Sequence, residues 1–335
     1  MKVADMHCDT ITALYDTTVK GETCSLNRNT FHIDIEKMQK GDYLLQNFAV
    51  FVDLKSQENP LEYCLKAIDF YYGQLELYKE ILAPVFTYED ILRNREAGKI
   101  STLLTIEEGG VTKCSLEHLR NYYRLGVRML TLTWNYENGI GYPNFTLAEG
   151  EKPDFFTPDS EKGLTDFGLK MIWEMERLGM IIDVSHLSDA GFYQVLKNTT
   201  KPFVASHSNA RKVCRHVRNL TDDMIIKLAE RGGITGMNFC PSFLQEAKQE
   251  EEAVGTIVSL VENIKHIANI GGYECIGLGS DFDGIPSHKE LPDASYLPLL
   301  EEALKKEGFQ NHEIEAIFYK NVLRVYKEVL GCKKP

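Results

Sequence analysis

Two histidines in this chain directly follow short apolar runs that end in Ser-His. His186 closes the segment GMIIDVSH, and His207 closes KPFVASH. An apolar run bounded by turn signals is typical of a buried strand. A histidine at the carboxyl end of such a strand is held rigidly and faces a loop, where it can bind a metal ion or move a proton. Either histidine alone could equally be a hydrogen-bonded core residue, so the chemical interpretation depends on partners elsewhere.

Further ionisable side chains follow other predicted strands. They are His7 and Asp9 after the first strand, Glu107 or Glu108 after the third, and Asp281 after the eighth. If these groups meet at one end of a barrel, burying them without partners would cost on the order of several kcal/mol each. A divalent metal would satisfy them, and the mixture of nitrogen and oxygen ligands favours zinc over calcium or magnesium.

The spacing predicts two metal ions that share a ligand. His7 and Asp9 are two residues apart on one strand, so both side chains point the same way and can bind one ion. His186 and His207 would hold the second ion. A carboxylate between them would bridge the pair, and we choose Glu108, because the glycines that follow it allow the backbone to turn tightly beside the metals.

Such a centre is suited to hydrolysis. Two metals lower the pKa of a shared water, so that a bridging hydroxide forms near neutral pH, and they polarise a substrate carbonyl. Asp281, placed beside that water, could accept its proton and deliver it to a leaving amine. The sequence therefore predicts an amide-cleaving enzyme.

The elements that must position these residues alternate between strands and helices. The predicted strands cover residues 2–9, 43–52, 100–106, 127–134, 179–186, 201–207, 232–239 and 273–284. Eight strands interleaved with helices predict a (β/α)8 barrel, with residues 1–335 as a single domain. A doubly wound open sheet is the alternative, but it would gather its polar residues at one switch point. A long loop over residues 135–162 should cover one end and shape specificity.

Composition narrows the class of protein. A chain of 335 residues with 43% hydrophobic content can bury a large core. Its net charge of -12 argues against nucleic acid or an anionic membrane surface as a partner. We expect no signal peptide and no membrane span. The eight cysteines are scattered without a C-x-x-C pair, which predicts reduced thiols in a cytoplasmic protein.

Seven short motifs, taken together, resemble the membrane dipeptidase (renal dipeptidase) family of zinc peptidases within the amidohydrolase superfamily. They run in the family's order over essentially the whole chain. The motifs are His7-Cys8-Asp9, Glu108-Gly109-Gly110, Leu130-Thr131-Leu132-Thr133, Asp183-Val184-Ser185-His186, Ser206-His207-Ser208, Arg218-Asn219 and Gly279-Ser280-Asp281-Phe282-Asp283-Gly284.

The resemblance implies a role for each site residue. His7, Asp9 and Glu108 would bind one zinc, and Glu108, His186 and His207 the other. Asp281 would be the acid/base residue. Arg218 would bind the substrate carboxylate, a task suited to its planar fork of donors.

One position departs from the family pattern. Trp134 stands where the family has a histidine thought to stabilise the tetrahedral oxyanion. Either Asn135 takes over this contact or the substrate scope differs.

The resemblance implies a zinc dipeptidase with two ions per chain that tolerates a D-residue at the second position, in a family whose members are often dimers. The alternatives are cleavage of N-acyl amino acids or related small amides, and a catalytically inactive binding protein.

Overall fold

The structure is a computed structural model that describes residues 1–146, 154–246 and 252–330. Part of the predicted loop over residues 135–162 therefore lies outside the described residues, as does Cys332. Within the described part of the chain, no helix combines the length and the apolar character needed to cross a bilayer. None of the cysteines that the structure describes forms a disulfide.

Nine parallel strands form the sheet, and eight of them close into a barrel. The strands are β1 Val3–Asp5, β2 Tyr43–Phe51, β3 Leu82–Pro84, β4 Ile100–Glu107, β5 Met129–Thr131, β6 Ile181–Asp183, β7 Val204–Ala205, β8 Ile234–Met237 and β9 Ile276–Leu278. The order around the barrel is β2-β1-β9-β8-β7-β6-β5-β4, and pairing of β2 with β4 closes it. The predicted (β/α)8 barrel is confirmed.

The strand β3 was not predicted, and it lies outside the barrel ring. It pairs with the first half of β4, from Leu82 opposite Ile100 to Pro84 opposite Thr102. The second half of β4 pairs instead with β5, beginning with Thr105 opposite Met129. The longest predicted strands are also shorter in the structure, because their last residues leave the sheet to form the loops that carry the polar side chains.

Helices surround the barrel. They are α1 Thr10–Val19, α2 Ile35–Lys40, α3 Pro60–Leu77, α4 Tyr88–Glu96, α5 Leu116–Arg124, α6 Asp166–Leu178, α7 Asp189–Asn198, α8 Asp222–Glu230, α9 Pro241–Leu244, α10 Ile257–Gly271, α11 Leu297–Lys306, α12 Asn311–Glu315 and α13 Asn321–Val329. Several begin at a side-chain cap of the expected type, such as Thr165 before α6 and Thr221 before α8.

The core has two layers. The larger layer lies between the helices and the outer face of the barrel. The smaller one fills the amino end of the barrel, where the first residues of β5, β6, β7 and β8 pack with α13. There the Tyr326 hydroxyl lies 2.6 Å from the Asn47 amide nitrogen. Because apolar side chains fill the amino end of the barrel, a functional site is expected at its carboxyl end.

Candidate metal centre

Six ionisable side chains gather at the carboxyl end of the barrel. They are His7, Asp9, Glu107, His186, His207 and Asp281, and none is more than 9% exposed. Their ligand atoms form three overlapping groups of three, each within 4.8 Å. Five strands that are widely separated in sequence therefore bring together the predicted side chains. The one difference is that Glu107 takes the place predicted for Glu108.

Glu107 lies at the middle of this cluster. Its Oε2 is 3.2 Å from His7 Nε2. Its Oε1 is 3.0 Å from His186 Nε2 and 3.6 Å from His207 Nε2. One carboxylate thus faces histidines from both halves of the predicted centre, which is the position of a bridging ligand.

Glu108 does not lie in that position, so this part of the prediction is wrong. Its backbone φ is 95°, and its carboxylate accepts hydrogen bonds from Gly110 N at 2.6 Å, from Trp134 N at 3.0 Å and from the Asn138 amide. The glycines do permit a turn, but the turn directs Glu108 away from the histidines.

The alternation of side chains along β4 could have identified Glu107 from the sequence. Leu103 packs in the barrel interior, whereas Leu104 and Ile106 pack against the outer helices. Because side chains alternate between faces along a strand, the interior set continues through Thr105 to Glu107. The prediction relied instead on the motif Glu-Gly-Gly, which favours the second glutamate, Glu108.

His186 is oriented by Asn135. The backbone φ of His186 is 70°, and its Nδ1 lies 2.8 Å from Asn135 Oδ1. With the amide oxygen accepting from Nδ1, the Nε2 lone pair faces Glu107 and is available to a metal. Asn135, which was predicted to contact substrate, thus positions a histidine in addition to lining the cavity.

His207 is oriented by Ser206 and Asp183. His207 Nδ1 lies 2.7 Å from Ser206 Oγ, which donates to Asp183 Oδ2 at 2.6 Å. Because Ser206 donates its hydroxyl proton to Asp183, the serine oxygen accepts a hydrogen bond from His207 Nδ1. His207 Nε2 is therefore the nitrogen available to bind a metal. Asp183 also accepts from Thr131 Oγ1 at 2.6 Å and from Ser206 N at 2.8 Å.

Asp5 has a matching place on the other side of the barrel. Its carboxylate accepts from Ser280 N at 2.9 Å, from Ser280 Oγ at 2.6 Å and from His7 N at 3.3 Å. It therefore ties together the strand ends that carry His7 and Asp281, and burial raises its pKa. Sequence reasoning assigned no role to Asp5 or Asp183; their spacing, two or three residues before a site histidine, was the available signal.

The donor set fits divalent metal ions. Among the residues that the structure describes, Nδ1 of His7 and Oδ1 of Asp9 are buried without a hydrogen-bond partner. His186 Nε2 is 3.1 Å from His207 Nε2, and His7 Nε2 is 3.5 Å from Asp9 Oδ2. Two ligands bound to one tetrahedral zinc at ~2.0–2.2 Å lie about 3.3–3.6 Å apart. The spacing of these atoms is thus that of neighbouring ligands.

The protonation preferences of His186 and His207 also suit a metal. Burial lowers the pKa of both His186 and His207 well below the ordinary value, so these rings stay neutral. Burial raises the pKa of Glu107 to about 8, against the lowering effect of His7. A cation at this point would favour the ionised carboxylate and the neutral imidazoles that ligation requires.

Asp281 lies at the edge of the cluster. Its Oδ2 accepts a hydrogen bond from the Asn238 amide at 2.8 Å, and its Oδ1 lies 3.7 Å from His7 Nε2. Burial raises its pKa to about 6, with Asp9 adding to the shift and His7 opposing it. A carboxyl group that changes protonation state near neutrality can both accept and return a proton.

A cavity of about 610 Å³ opens over the cluster. This volume is in the range of small-molecule sites. Arg218 lines it and is 4% exposed, and its Nε has no hydrogen-bond partner among the described residues. Its other nitrogens reach Ser208 Oγ and His207 O only at 3.5 Å. A buried guanidinium with weak protein contacts is suited to an anionic ligand.

Trp134 also lines the cavity. Its ring lies 4.8 Å from that of Phe51 and 6.3 Å from that of His186, between centroids. Its backbone N–H donates a hydrogen bond to the Glu108 carboxylate. Trp134 therefore contributes an apolar face beside the cluster.

Gly284 packs closely against two carboxylates of the cluster. A Cβ added at this position would overlap Asp9 Oδ2 and would lie 2.8 Å from Asp281 Oδ1. Substituting alanine should push both carboxylates out of place. We expect Gly284→Ala to lower kcat/KM about a hundredfold, the loss typical of a misplacement near 1 Å.

Gly73 provides the matched control for this prediction. It lies in α3, and an added Cβ there would have nothing within 4 Å. Gly73→Ala should keep full activity and gain slightly in thermal stability, since alanine favours helix. Steady-state kinetics and thermal melts of both variants make the comparison. Full activity in Gly284→Ala would show that the close packing of the carboxylates is not required.

A closed (β/α)8 barrel with this donor set at its carboxyl end defines a metal-dependent barrel hydrolase. The chain belongs to the membrane dipeptidase family, peptidase family M19, whose family model matches residues 1–335. It is thus a metallopeptidase of the dipeptidase class.

Individual relatives agree with this assignment. An uncharacterized dipeptidase of Schizosaccharomyces pombe is 34% identical over 315 residues, which are 90% of this chain and 73% of that protein. The dipeptidase tcpJ of Claviceps purpurea is 30% identical, over 95% of this chain and 74% of its own length.

Solved structures show the same fold. The metallopeptidase dipeptidase AC superposes with a TM-score of 0.90 at 25% identity, covering 99% of both chains. A metallopeptidase from Rhodobacter sphaeroides, crystallised with a phosphinate mimic of the dipeptide L-Ala-D-Ala, superposes with a TM-score of 0.88 at 23% identity, covering 98% of this chain and 99% of its own.

Proposed function

We propose that this protein is a zinc-dependent dipeptidase that cleaves the single peptide bond of dipeptides, including those with a D-residue in the second position. The observation that carries the proposal is Glu107, a single carboxylate within 3.0–3.6 Å of three imidazole nitrogens. The phosphinate dipeptide mimic bound by the Rhodobacter sphaeroides relative supports the extension to L-D dipeptides.

In this proposal Glu107 would be a ligand common to two zinc ions. The first would be held by His7, Asp9 and Glu107, and the second by Glu107, His186 and His207; both sets lie within 4.8 Å. When bound, the metal pair would supply a nucleophilic hydroxide near neutral pH and polarise the scissile carbonyl.

The protein's own groups then bind the substrate and move a proton. Arg218 pairs with the C-terminal carboxylate and fixes the direction in which the dipeptide lies. Asp281 accepts the proton of the attacking water and delivers it to the departing amine, while Asn238 holds its second oxygen. Asn135 and Ser206 hold the imidazoles of His186 and His207 with Nε2 toward Glu107.

A substrate panel tests the proposed activity. Purified protein is assayed with L-L dipeptides, L-D dipeptides and N-acyl amino acids, before and after treatment with a chelator and again after zinc is restored. The proposal expects hydrolysis of both dipeptide classes, loss with the chelator and recovery with zinc. Turnover of N-acyl amino acids alone would favour a different amide hydrolase, and a zinc-loaded protein with no turnover would indicate a binding protein.

The role of Arg218 is tested by Arg218→Lys. Lysine keeps the charge but cannot form two parallel hydrogen bonds to a carboxylate. We expect KM for dipeptides to rise at least tenfold, with little change in kcat, because the contact stabilises the ground state and the transition state alike.

Dipeptide amides are the control for this substitution, since they lack the carboxylate. The wild type and the variant should process them with equal kcat/KM. An unchanged KM for free dipeptides would place the carboxylate somewhere other than Arg218.

The proposal also covers organisation and location. We propose that residues 1–335 act as one domain, in a homodimer located in the cytoplasm. The family match over the whole chain supports the single domain, and unbridged cysteines among the described residues are consistent with a reducing compartment. Light scattering on the purified protein tests the dimer.

A further inference from the structure

Four aromatic side chains line the cavity next to Arg218. They are Phe145, Phe155, His216 and Phe243, which we call the aromatic wall. Phe145 lies 5.0 Å from Phe155, and Phe155 stacks on His216 at 5.1 Å with an angle of 22° between the rings. Phe243 follows at 4.5 Å from His216. The four rings form a continuous surface of the kind that recognises another flat or apolar group.

The aromatic wall adjoins the proposed carboxylate site. The Arg218 guanidinium carbon lies 5.4 Å from the centre of the Phe243 ring. In a dipeptide, the C-terminal carboxylate and the side chain of the same residue are attached to one Cα. A side chain whose carboxylate is bound by Arg218 must therefore lie within a few ångströms of the guanidinium, where the aromatic wall begins.

The opposite side of the cavity has a different character. In the ring of eight strands, β2 lies directly across from β7, after which Arg218 follows. Apart from the proposed metal ligand Asp9, the β1 and β2 side contributes Asp16 together with Phe51. A zwitterionic dipeptide is matched by this polarity, with its carboxylate toward Arg218 and its ammonium group toward the acidic side. The aromatic wall is thus left for the second residue rather than the first.

Two members of the aromatic wall are tied to the segment that carries Arg218. The carbonyl of Phe155 accepts a hydrogen bond from Val217 N at 2.8 Å. His216 Nδ1 accepts one from Arg218 N at 3.1 Å. These contacts hold the backbone of residue 155 and the His216 ring close to Arg218, and the position of residue 155 does not depend on its own side chain.

From this geometry we infer that the aromatic wall is the subsite for the C-terminal side chain, and that it selects dipeptides whose second residue is aromatic or large and apolar. The inference rests on the proposed dipeptidase function. A wall of aromatic rings discriminates by the apolar area it covers, and one pocket contact changes kcat/KM by roughly 10- to 200-fold.

The experiment compares kcat/KM for Ala-Phe, Ala-Ala and Ala-Gln, with the second residue in both L and D forms, in the zinc-loaded wild type and in Phe155→Ala. Ala-Gln controls for the length of the side chain without an apolar ring. We expect the wild type to favour Ala-Phe over the other two by at least tenfold. In Phe155→Ala that preference should fall at least tenfold, and a thermal melt together with metal analysis shows that the variant is folded and zinc-loaded.

Phe156→Ala is the matched control. Phe156 is the neighbouring residue of the same type, but it is 49% exposed and is not among the residues that line the main cavity. It should keep the wild-type preference. Equal kcat/KM for the three dipeptides, or an Ala-Phe preference that survives Phe155→Ala, would overturn the subsite and leave the dipeptidase proposal standing. Failure to hydrolyse any dipeptide would overturn both.

Discussion

Glu107→Gln should remove metal and hydrolysis together. Glu107 is the residue whose two carboxylate oxygens face His7 on one side and His186 and His207 on the other. An amide has only one acceptor oxygen and no charge, so it cannot hold two cations. We expect kcat to fall by at least about a thousandfold. Loss of a residue that only hydrogen-bonds to a metal ligand typically costs ten- to hundredfold. Metal analysis of the purified variant should find fewer than two zinc ions per chain.

Glu108→Gln is the matched control for this substitution. The two glutamates are adjacent and both are buried, but the Glu108 carboxylate accepts from Gly110 N, Trp134 N and Asn138. Glutamine would leave at least one of these donors poorly satisfied, at a cost of ~1–3 kcal/mol in the free energy of unfolding. The variant should therefore melt earlier and still bind two zinc ions. The opposite pattern, with metal lost from Glu108→Gln and kept in Glu107→Gln, would restore the assignment that the motif first indicated.

Asp281→Asn should abolish turnover while the metal stays bound. Asparagine keeps the shape of the side chain and can still accept from Asn238, but it cannot accept a proton from water. We expect kcat to fall by ~10²–10⁴-fold, the usual contribution of a positioned acid or base, with KM little changed. Kinetics and metal analysis of the same preparation of the variant test this prediction.

The same measurements separate two possible roles for Asp281. His7, His207 and Asp281 offer ligand atoms within 4.8 Å of one another, so the carboxylate could also bind metal. If zinc is lost from the variant in proportion to activity, Asp281 is a ligand. If turnover is unchanged, it is neither a ligand nor a proton carrier.

The sequence predicted which side chains would meet because the fold places every strand end at one mouth. His7, Asp9, His186, His207 and Asp281 each follow a strand, and parallel strands in a closed barrel bring such positions together. Neither their exact distances nor the backbone strain at His186 and Asp281, with φ of 70° and 63°, could be read from the pattern. Strain of this kind is maintained by surrounding tertiary contacts.

Two features escaped sequence reasoning for different physical reasons. The choice of Glu108 over Glu107 relied on a motif, although alternation along β4 already separated inward Leu103 from outward Leu104. The strand β3, Leu82–Pro84, could not have been found by alternation. It has three residues and one partner strand, so its pairing is decided by tertiary contact rather than by local pattern.

The most direct test of the central claim is anomalous diffraction at the zinc edge from crystals of the zinc-loaded protein. The proposed function predicts two peaks at the carboxyl end of the barrel, each about 2.0–2.2 Å from a different oxygen of Glu107. One peak should also contact His7 and Asp9, and the other His186 and His207. The absence of peaks at this site, or a metal pair that leaves Glu107 uncoordinated, would contradict the account.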